Sequence, residues 1–294
     1  MIPIFYNPTY VGAGYSFDTT RKAAWLAESL ENDPIEGIEI QSPNSLTAEQ
    51  VSTVHDPAYV RAVETGEPRD RAESQGFTWD PGLWPMVLAS NGGAVAAALA
   101  ALKSGDSAGS LSSGLHHARR DRGSGFCTFN GLVLAANAAL EAGAGSVLIL
   151  DLDAHCGGGT HSLIKDNPKV WQMDVSVDDL DSYAPSDRTT LTIIDSADDY
   201  LPAIDRELKA LERTAPGFDL CIYNAGMDPY EGSSIGGLGG ITPKILGRRD
   251  MTVFHWALVR RIPVAFVLAG GYVGKNLSQE DLVLLHRFTI EAAS

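Results

Sequence analysis

A segment near the middle of this 294-residue chain, residues 147–160, constrains the fold more than any other. Four aliphatic residues open it and run directly into Asp151, Asp153 and His155, which precede three consecutive glycines. Residues two apart in an extended chain project to the same side, so these three side chains are expected to face one point as the strand ends. A buried strand with this ending is typical of a parallel α/β enzyme.

Apolar, β-rich segments alternate with helical patterns along most of the chain. This alternation predicts an α/β fold with a parallel sheet and helices on both faces. We find no internal repeat or linker, so a single domain over residues 1–294 is expected. The predicted strands are 2–5, 37–40, 108–111, 146–150, 170–174, 190–193, 218–223 and 264–268. The predicted helices are 20–30, 83–103, 130–142, 200–214, 243–259 and 279–293.

The charge and composition restrict the classes of partner. A net charge of −15 repels phosphates and anionic lipids, so neither nucleic acid nor a membrane is an expected partner. No apolar run is expected to reach the roughly 18 residues that span a bilayer, and residues 1–6 are not expected to form a secretion signal, because no basic region precedes an apolar segment there. Three cysteines without framework spacing are typical of reduced thiols. We therefore expect a cytoplasmic protein. A homo-oligomer is the form of self-assembly that we consider for it.

Polar clusters follow three further predicted strands. His116 and His117 follow the third strand, Asp228 the seventh and Tyr272 the eighth. The carboxyl ends of parallel strands share one edge, where ligands bind, so we expect these clusters to form one site. Helix-capping aspartates and core histidines are the alternative, which explains one cluster more easily than four.

Asp153, His155 and Asp228 form a set of nitrogen and oxygen donors suited to a divalent metal. Three protein ligands leave a position open for water and substrate, as in a catalytic zinc site. Iron(II) or cobalt would suit the same donors. A two-metal hydrolase is less favoured, because Gly157 stands where a bridging carboxylate would be expected.

His116 and His117 are the candidate acid–base pair, because histidine titrates near neutral pH. Asp151 is not needed as a metal ligand and would orient one of the two imidazoles. A purely structural role for the two histidines is the alternative.

The candidate substrate-binding residues follow two glycine-containing turns. Tyr272 would donate a hydrogen bond to a developing oxyanion, and Gly270 and Gly271 would let the backbone approach the substrate. Gly125 and Phe126 would form an apolar wall. Packing of Tyr272 on the sheet and of Phe126 in the core are the alternatives.

These residues resemble the histone deacetylase superfamily, which includes acetylpolyamine amidohydrolases. The resemblance covers about half of the chain, and its motifs occur in the order found in the family. The matching motifs are Leu-His-His-Ala at 115–118, Gly-Phe-Cys-Thr-Phe-Asn at 125–130, Asp-Leu-Asp-Ala-His at 151–155, Gly-Gly-Gly-Thr at 157–160, Asn-Ala-Gly-Met-Asp at 224–228 and Leu-Ala-Gly-Gly-Tyr at 268–272. The segment Val-His-Asp-Pro-Ala-Tyr-Val at 54–60 also fits.

The resemblance implies an arginase–deacetylase-like three-layer fold with an eight-stranded parallel sheet. It implies zinc at the three ligands named above and hydrolysis of an acylated amine by an activated water. His117 matches the general base and acid, His116 its electrostatic partner, Tyr272 the oxyanion donor and Phe126 a wall of the acyl tunnel. It also implies structural potassium at Asp151, Asp153, His155 and Asp174; at the last position a hydroxyl residue is usual.

Two positions depart from the family pattern. Gly158 stands where an Asp or Asn usually orients the second histidine, so His117 is expected to lack that partner. The segment 175–185 replaces the usual second pocket wall with an acidic loop containing Asp178, Asp179 and Asp181. This loop is expected to widen the pocket or to favour a cationic substrate.

The sequence thus predicts a zinc-dependent deacylase acting on acetyl-lysine or an acetylated polyamine. Hydrolysis of another small-molecule amide is a second interpretation, because specificity depends on loops rather than on the fold. A non-catalytic, metal-containing protein that binds acyl ligands is a third, motivated by Gly158.

Overall fold

The structure, a computed structural model, describes residues 1–14, 18–215 and 217–294. Its centre is an eight-stranded sheet in which every paired strand runs parallel to its neighbour. The strands are β1 (Ile2–Phe5), β2 (Ile38–Gln41), β3 (Ala108–Ser110), β4 (Val147–Asp151), β5 (Val170–Ser176), β6 (Thr189–Ile193), β7 (Leu220–Gly226) and β8 (Val264–Ala269). Their order across the sheet is β2-β1-β3-β8-β7-β4-β5-β6, which places β8, β7 and β4 in the interior.

The central strands are apolar on both faces because both faces are covered. Along β4, Leu148 and Leu150 belong to one hydrophobic cluster, whereas Val147 and Ile149 belong to another. Alternate residues of a strand point to opposite sides of the sheet, so these clusters are the cores of two separate layers. The sheet is therefore the middle layer of three, as predicted.

Helices supply the two outer layers. They are α1 (Asp18–Asn32), α2 (Ala48–Ser52), α3 (Pro57–Thr65), α4 (Arg69–Ala72), α5 (Leu83–Ser104), α6 (Gly131–Glu141), α7 (Gly158–Ile164), α8 (Ala197–Thr214), α9 (Pro243–Arg260) and α10 (Gln279–Ala293). Apolar residues of α1, α8, α9 and α10 join the first cluster, and those of α3, α5 and α6 join the second.

Helix α5 corrects one expectation from the sequence. By length and composition its 22 residues are apolar enough to cross a membrane, although no such run was expected. Within its apolar window, 67% of the residues are buried inside the fold, against α6, β3 and β8. A core helix of a globular protein passes the same test, and the burial of α5 fits that role.

All eight predicted strands and six predicted helices are present, with ends displaced by at most three residues. The prediction omits α2, α3, α4 and α7, which have only four to nine residues, fewer than the roughly 11–18 over which helical periodicity is judged. Helix α7 also begins at Gly158 and Gly159, and glycine disfavours helices. The cysteines are free and buried: Cys127, Cys156 and Cys221.

Candidate active site

Four neighbouring strands, β3, β8, β7 and β4, end at the same edge of the sheet. The structure brings together the polar residues that follow them, as the sequence predicts. Residues from all four segments line one narrow pocket, among them His117 after β3, His155 after β4, Asn224 in β7 and Tyr272 after β8.

Asp153 and His155 line this pocket, and Asp228 lies beside them. One donor atom from each lies within 4.8 Å of the other two, and all three residues are buried. His155 Nδ1 is 3.1 Å from Asp153 Oδ1 and 3.2 Å from Asp228 Oδ2. Asp228 Oδ2 is buried, yet it accepts no hydrogen bond of good geometry from any residue that the structure describes. A buried carboxylate oxygen that lacks a hydrogen bond and lies close to two other candidate ligand atoms is typical of a metal ligand.

The electrostatics of these three residues call for a positive charge. Burial and the nearby Asp153 raise the pKa of Asp228 to about 6. Burial alone would lower the pKa of His155, but the two carboxylates outweigh it and raise that pKa to about 11. Two carboxylates this close in a buried site require a compensating cation, so the residues fit a divalent metal.

His116 contacts the carboxylate of Asp151 through its Nδ1 nitrogen. Its Nδ1 lies 2.8 Å from Asp151 Oδ2, and Asp151 Oδ1 accepts a hydrogen bond of 2.7 Å from Asn224 Nδ2. Burial opposes protonation of His116, but the charges of Asp151 and Asp153 raise its pKa to about 10. Asp151 thus contacts an imidazole, as predicted for the residue left over from the ligand set.

His117 lies beside His116, with ring centroids 4.0 Å apart, and differs from it in charge. Burial and the charge of His116 lower the pKa of His117, so it is the neutral member of the pair near pH 7. Its Nδ1 is 2.9 Å from Asp181 Oδ2. The expectation that Gly158 leaves His117 without a carboxylate partner is therefore wrong: the partner comes from the acidic loop after β5.

The walls of the pocket include Gly125, Phe126, Gly270 and Tyr272. Phe126 has a left-handed backbone (φ 65°), and its ring lies 6.4 Å from that of Tyr272 and stacks on Phe77 at 5.6 Å. A Cβ at Gly125 would lie 2.4 Å from the His117 ring, so only glycine permits this close approach.

Gly271 does not line the pocket, contrary to its predicted role in substrate binding. It is buried, and a Cβ there would lie 2.3 Å from Leu282 of α10. Its left-handed φ of 82° turns the chain after β8, and the next residue, Tyr272, lines the pocket instead.

A family model described as the histone deacetylase domain matches residues 16–286. The chain belongs to this family. This match confirms the resemblance to the histone deacetylase superfamily that the sequence motifs indicate. The predicted enzyme class, a hydrolytic deacetylase, is that of the family's members.

Relatives in sequence and structure support the same assignment. An uncharacterized protein of Picosynechococcus sp. is 31% identical over 300 residues, which cover 99% of this chain and 98% of that protein. Histone deacetylase 2 of Arabidopsis thaliana is 32% identical over 193 residues, 59% of this chain and 49% of its own length. Acetylpolyamine aminohydrolase from Burkholderia pseudomallei superposes with a TM-score of 0.82 at 21% identity, covering 99% of this chain and 98% of that one, which confirms the deacetylase fold.

The deacetylase family is generally metal-dependent, and the buried Asp-His-Asp group is suited to a metal. The predicted potassium residue Asp174 lies beside Asp151 in the register of β4 and β5. Its Oδ2 accepts a 2.6 Å hydrogen bond from Gly157 N and its Oδ1 one of 2.7 Å from Ser176 Oγ. Burial and the charge of Asp151 raise the pKa of Asp174. Potassium at this position stays a prediction.

Sequence reasoning missed Asp181 and Lys22. Asp178 and Asp179 of the acidic loop are exposed, whereas the Asp181 side chain is largely buried and contacts His117. Lys22 of α1 is buried, with its Nζ 2.9 Å from Ser113 Oγ, and burial lowers its pKa to about 7. A lysine on an amphipathic helix carries no sequence pattern that predicts its burial.

Proposed function

We propose that this protein is a zinc-dependent deacylase that hydrolyses an acetylated amine to a free amine and acetate. The observation that carries the proposal is the arrangement of Asp153, His155 and Asp228 beside the His116–His117 pair, at the base of a pocket walled by Tyr272. Such a site supplies metal ligands, a proton carrier and an oxyanion donor in one place.

A divalent cation held by the three ligands would act as a Lewis acid towards the acyl carbonyl and the attacking water. His117, whose Nδ1 faces Asp181, accepts the proton of that water at Nε2. The water oxygen adds to the carbonyl carbon, and the π electrons of the carbonyl move to its oxygen to give a tetrahedral oxyanion. The oxyanion then collapses to a carboxyl group as the C–N bond breaks, and His117 returns the proton to the leaving nitrogen. The Tyr272 hydroxyl donates a hydrogen bond to the oxyanion, while Asp151 holds His116 next to the proton carrier.

We assign zinc because one imidazole and two carboxylates match a catalytic zinc site with open positions. Iron(II) and cobalt remain alternatives, because the same donors accept them. We also propose potassium near Asp151 and Asp174, as the resemblance implies; binding would be read from the potassium dependence of the melting temperature.

We propose an acetylated amine, either an acetyl-lysine peptide or an acetylated polyamine, as substrate. The narrow pocket, with Phe126 and Tyr272 on its walls, suits an extended acyl-amine chain. The relative from Burkholderia pseudomallei, named as an acetylpolyamine aminohydrolase, has the same fold over almost all of its length. The net charge of −15 favours a cationic amine over an anionic substrate.

The test is turnover by metal-free protein reconstituted with one equivalent of zinc, iron(II) or cobalt. We expect release of acetate from an acetyl-lysine peptide or from N-acetylputrescine. Asp153→Ala should abolish both metal retention and turnover, and His117→Ala should lower kcat by at least about a hundredfold with metal retained. Stoichiometric metal and tight hydroxamate binding without turnover of any acylated amine would instead indicate a binding protein. That alternative rests on Gly158, which supplies no carboxylate to His117. The contact between His117 and Asp181 supplies one and so argues for the enzyme.

A further inference from the structure

We infer that Asp181, in the loop between β5 and β6, is the positioning residue that fixes the orientation and tautomer of His117. The inference rests on the proposed function, in which His117 carries the proton. Among the described residues, the side chain of Asp181 hydrogen-bonds His117, Arg119 and Gly159 rather than a predicted metal ligand or substrate-binding residue, so we argue that it acts through His117.

The carboxylate of Asp181 is held on both oxygens. Oδ2 lies 2.9 Å from His117 Nδ1 and accepts a 3.0 Å hydrogen bond from Gly159 N, while Oδ1 accepts one from Arg119 Nη2. The side chain is only 12% exposed. A carboxylate paired with arginine is ionised and can only accept, so Nδ1 of His117 must donate. The neutral ring then carries its proton on Nδ1, and Nε2 is left with a lone pair to accept one.

Gly158 is what allows the loop to reach His117. A Cβ at position 158 would lie 2.1 Å from the carbonyl oxygen of Asp181 and 2.7 Å from its Oδ1. Any side chain at 158 would therefore push residue 181 away from the histidine. A carboxylate supplied from position 158 and one supplied from position 181 exclude each other sterically, and this chain uses the second.

Backbone strain at Asp181 supports a specific role for it. Its φ is 62°, in the left-handed region that residues other than glycine seldom adopt. Backbone hydrogen bonds on both sides hold this conformation: Cys156 N donates to Leu180 O, and Ser182 N donates to Asp179 O. The loop and the start of α7 thus hold the carboxylate where His117 needs it.

The test compares the zinc-loaded protein with its Asp181→Ala and Asp181→Asn variants. We expect Asp181→Ala to lower kcat at least about tenfold while KM changes less than about threefold, since the substrate contacts remain. Asp181→Asn keeps an acceptor for Nδ1–H but loses the charge, so its kcat should lie between those of the wild type and Asp181→Ala. Asp187→Asn, an exposed aspartate of the same connection, is the matched control and should keep kcat unchanged.

Nitrogen-15 spectra of histidine-labelled protein test the inference without turnover. The His117 ring should show the Nδ1–H tautomer in the wild type and Asp187→Asn, and should shift towards Nε2–H in Asp181→Ala. Gly158→Ala should give the same shift with Asp181 still present, because the added methyl displaces the loop. Unchanged tautomer and kcat in Asp181→Ala would overturn the inference. Absence of turnover in the wild type with the expected tautomer shifts would contradict the proposed function and leave the positioning role supported.

Discussion

Gly270 lies directly against the carboxylate of Asp228: a Cβ at position 270 would lie 2.3 Å from Asp228 Oδ1. Gly270 also has a left-handed φ of 58°. The turn after β8 therefore packs against Asp228, a predicted metal ligand that follows β7, and the shape of the site depends on the absence of a side chain at position 270.

We predict that Gly270→Ala weakens zinc binding by at least about tenfold, because the methyl group displaces the Asp228 carboxylate. Gly105→Ala is the control, since Gly105 shares the left-handed backbone (φ 74°) but has nothing within 4 Å of an added Cβ. Both variants should lose about 1 kcal/mol of stability from backbone strain. Zinc affinity, measured by competition with a chromogenic chelator, should fall only in Gly270→Ala. Equal affinities in the two variants would show that the ligand tolerates the displacement.

Tyr272→Phe should lower kcat by about a hundredfold or more if the hydroxyl stabilises the oxyanion. The ring remains, so its packing with Phe126 and the KM should change little. Burial raises the pKa of Tyr272, which keeps the hydroxyl protonated as a donor at neutral pH. Steady-state kinetics on an acetyl-lysine peptide are the measurement, and a kcat close to that of the wild type would remove Tyr272 from the mechanism.

The acidic loop is predicted to act on substrate affinity through its exposed residues. Because Asp181 is engaged with His117, only Asp178 and Asp179 remain to attract a cationic substrate from solvent. The double variant Asp178→Asn with Asp179→Asn should raise KM for an acetylated polyamine several-fold and leave KM for an uncharged acyl amide unchanged. The difference should vanish at high salt, since exposed charges are screened. An unchanged KM at low salt would contradict an electrostatic role for the loop.

The convergence of the site was predictable from the sequence, because it depends on two regular features. Asp153 and His155 come directly after the end of a buried strand, and parallel strands end at one edge of the sheet. The partner of His117 was not predictable, since Asp181 is 64 residues away and reaches it through an irregular loop with a left-handed residue. The sequence showed only that position 158 lacks a carboxylate, not that its missing side chain makes room for another.

The error at Gly271 has a similar cause. A Gly-Gly-Tyr turn indicates that the backbone bends sharply, but it does not tell which glycine faces the ligand and which faces the core. The packing of Leu282 from α10, which the local sequence does not contain, decides that Gly270 lines the pocket and Gly271 does not.

His55 is a buried histidine that is not one of the proposed metal ligands. Its Nδ1 lies 2.8 Å from the Arg119 carbonyl oxygen, and its Nε2 accepts a 2.9 Å hydrogen bond from Asn130 N. The folded state therefore needs the neutral ring, and burial lowers the pKa of His55 to about 4.

Because an unfolded histidine has a pKa of about 6.5, the unfolded chain binds the extra proton between that pH and about 4. The stability from neutral His55 is thus present above pH 6.5 and is lost as the pH falls, by up to about 3 kcal/mol. His55→Gln keeps a donor and an acceptor but cannot titrate, so its free energy of unfolding should fall less steeply between pH 7 and pH 4. Urea unfolding across this range is the measurement, with the exposed His255→Gln as control. Parallel pH profiles for wild type and His55→Gln would mean that His55 is protonated in the folded state as readily as in the unfolded one.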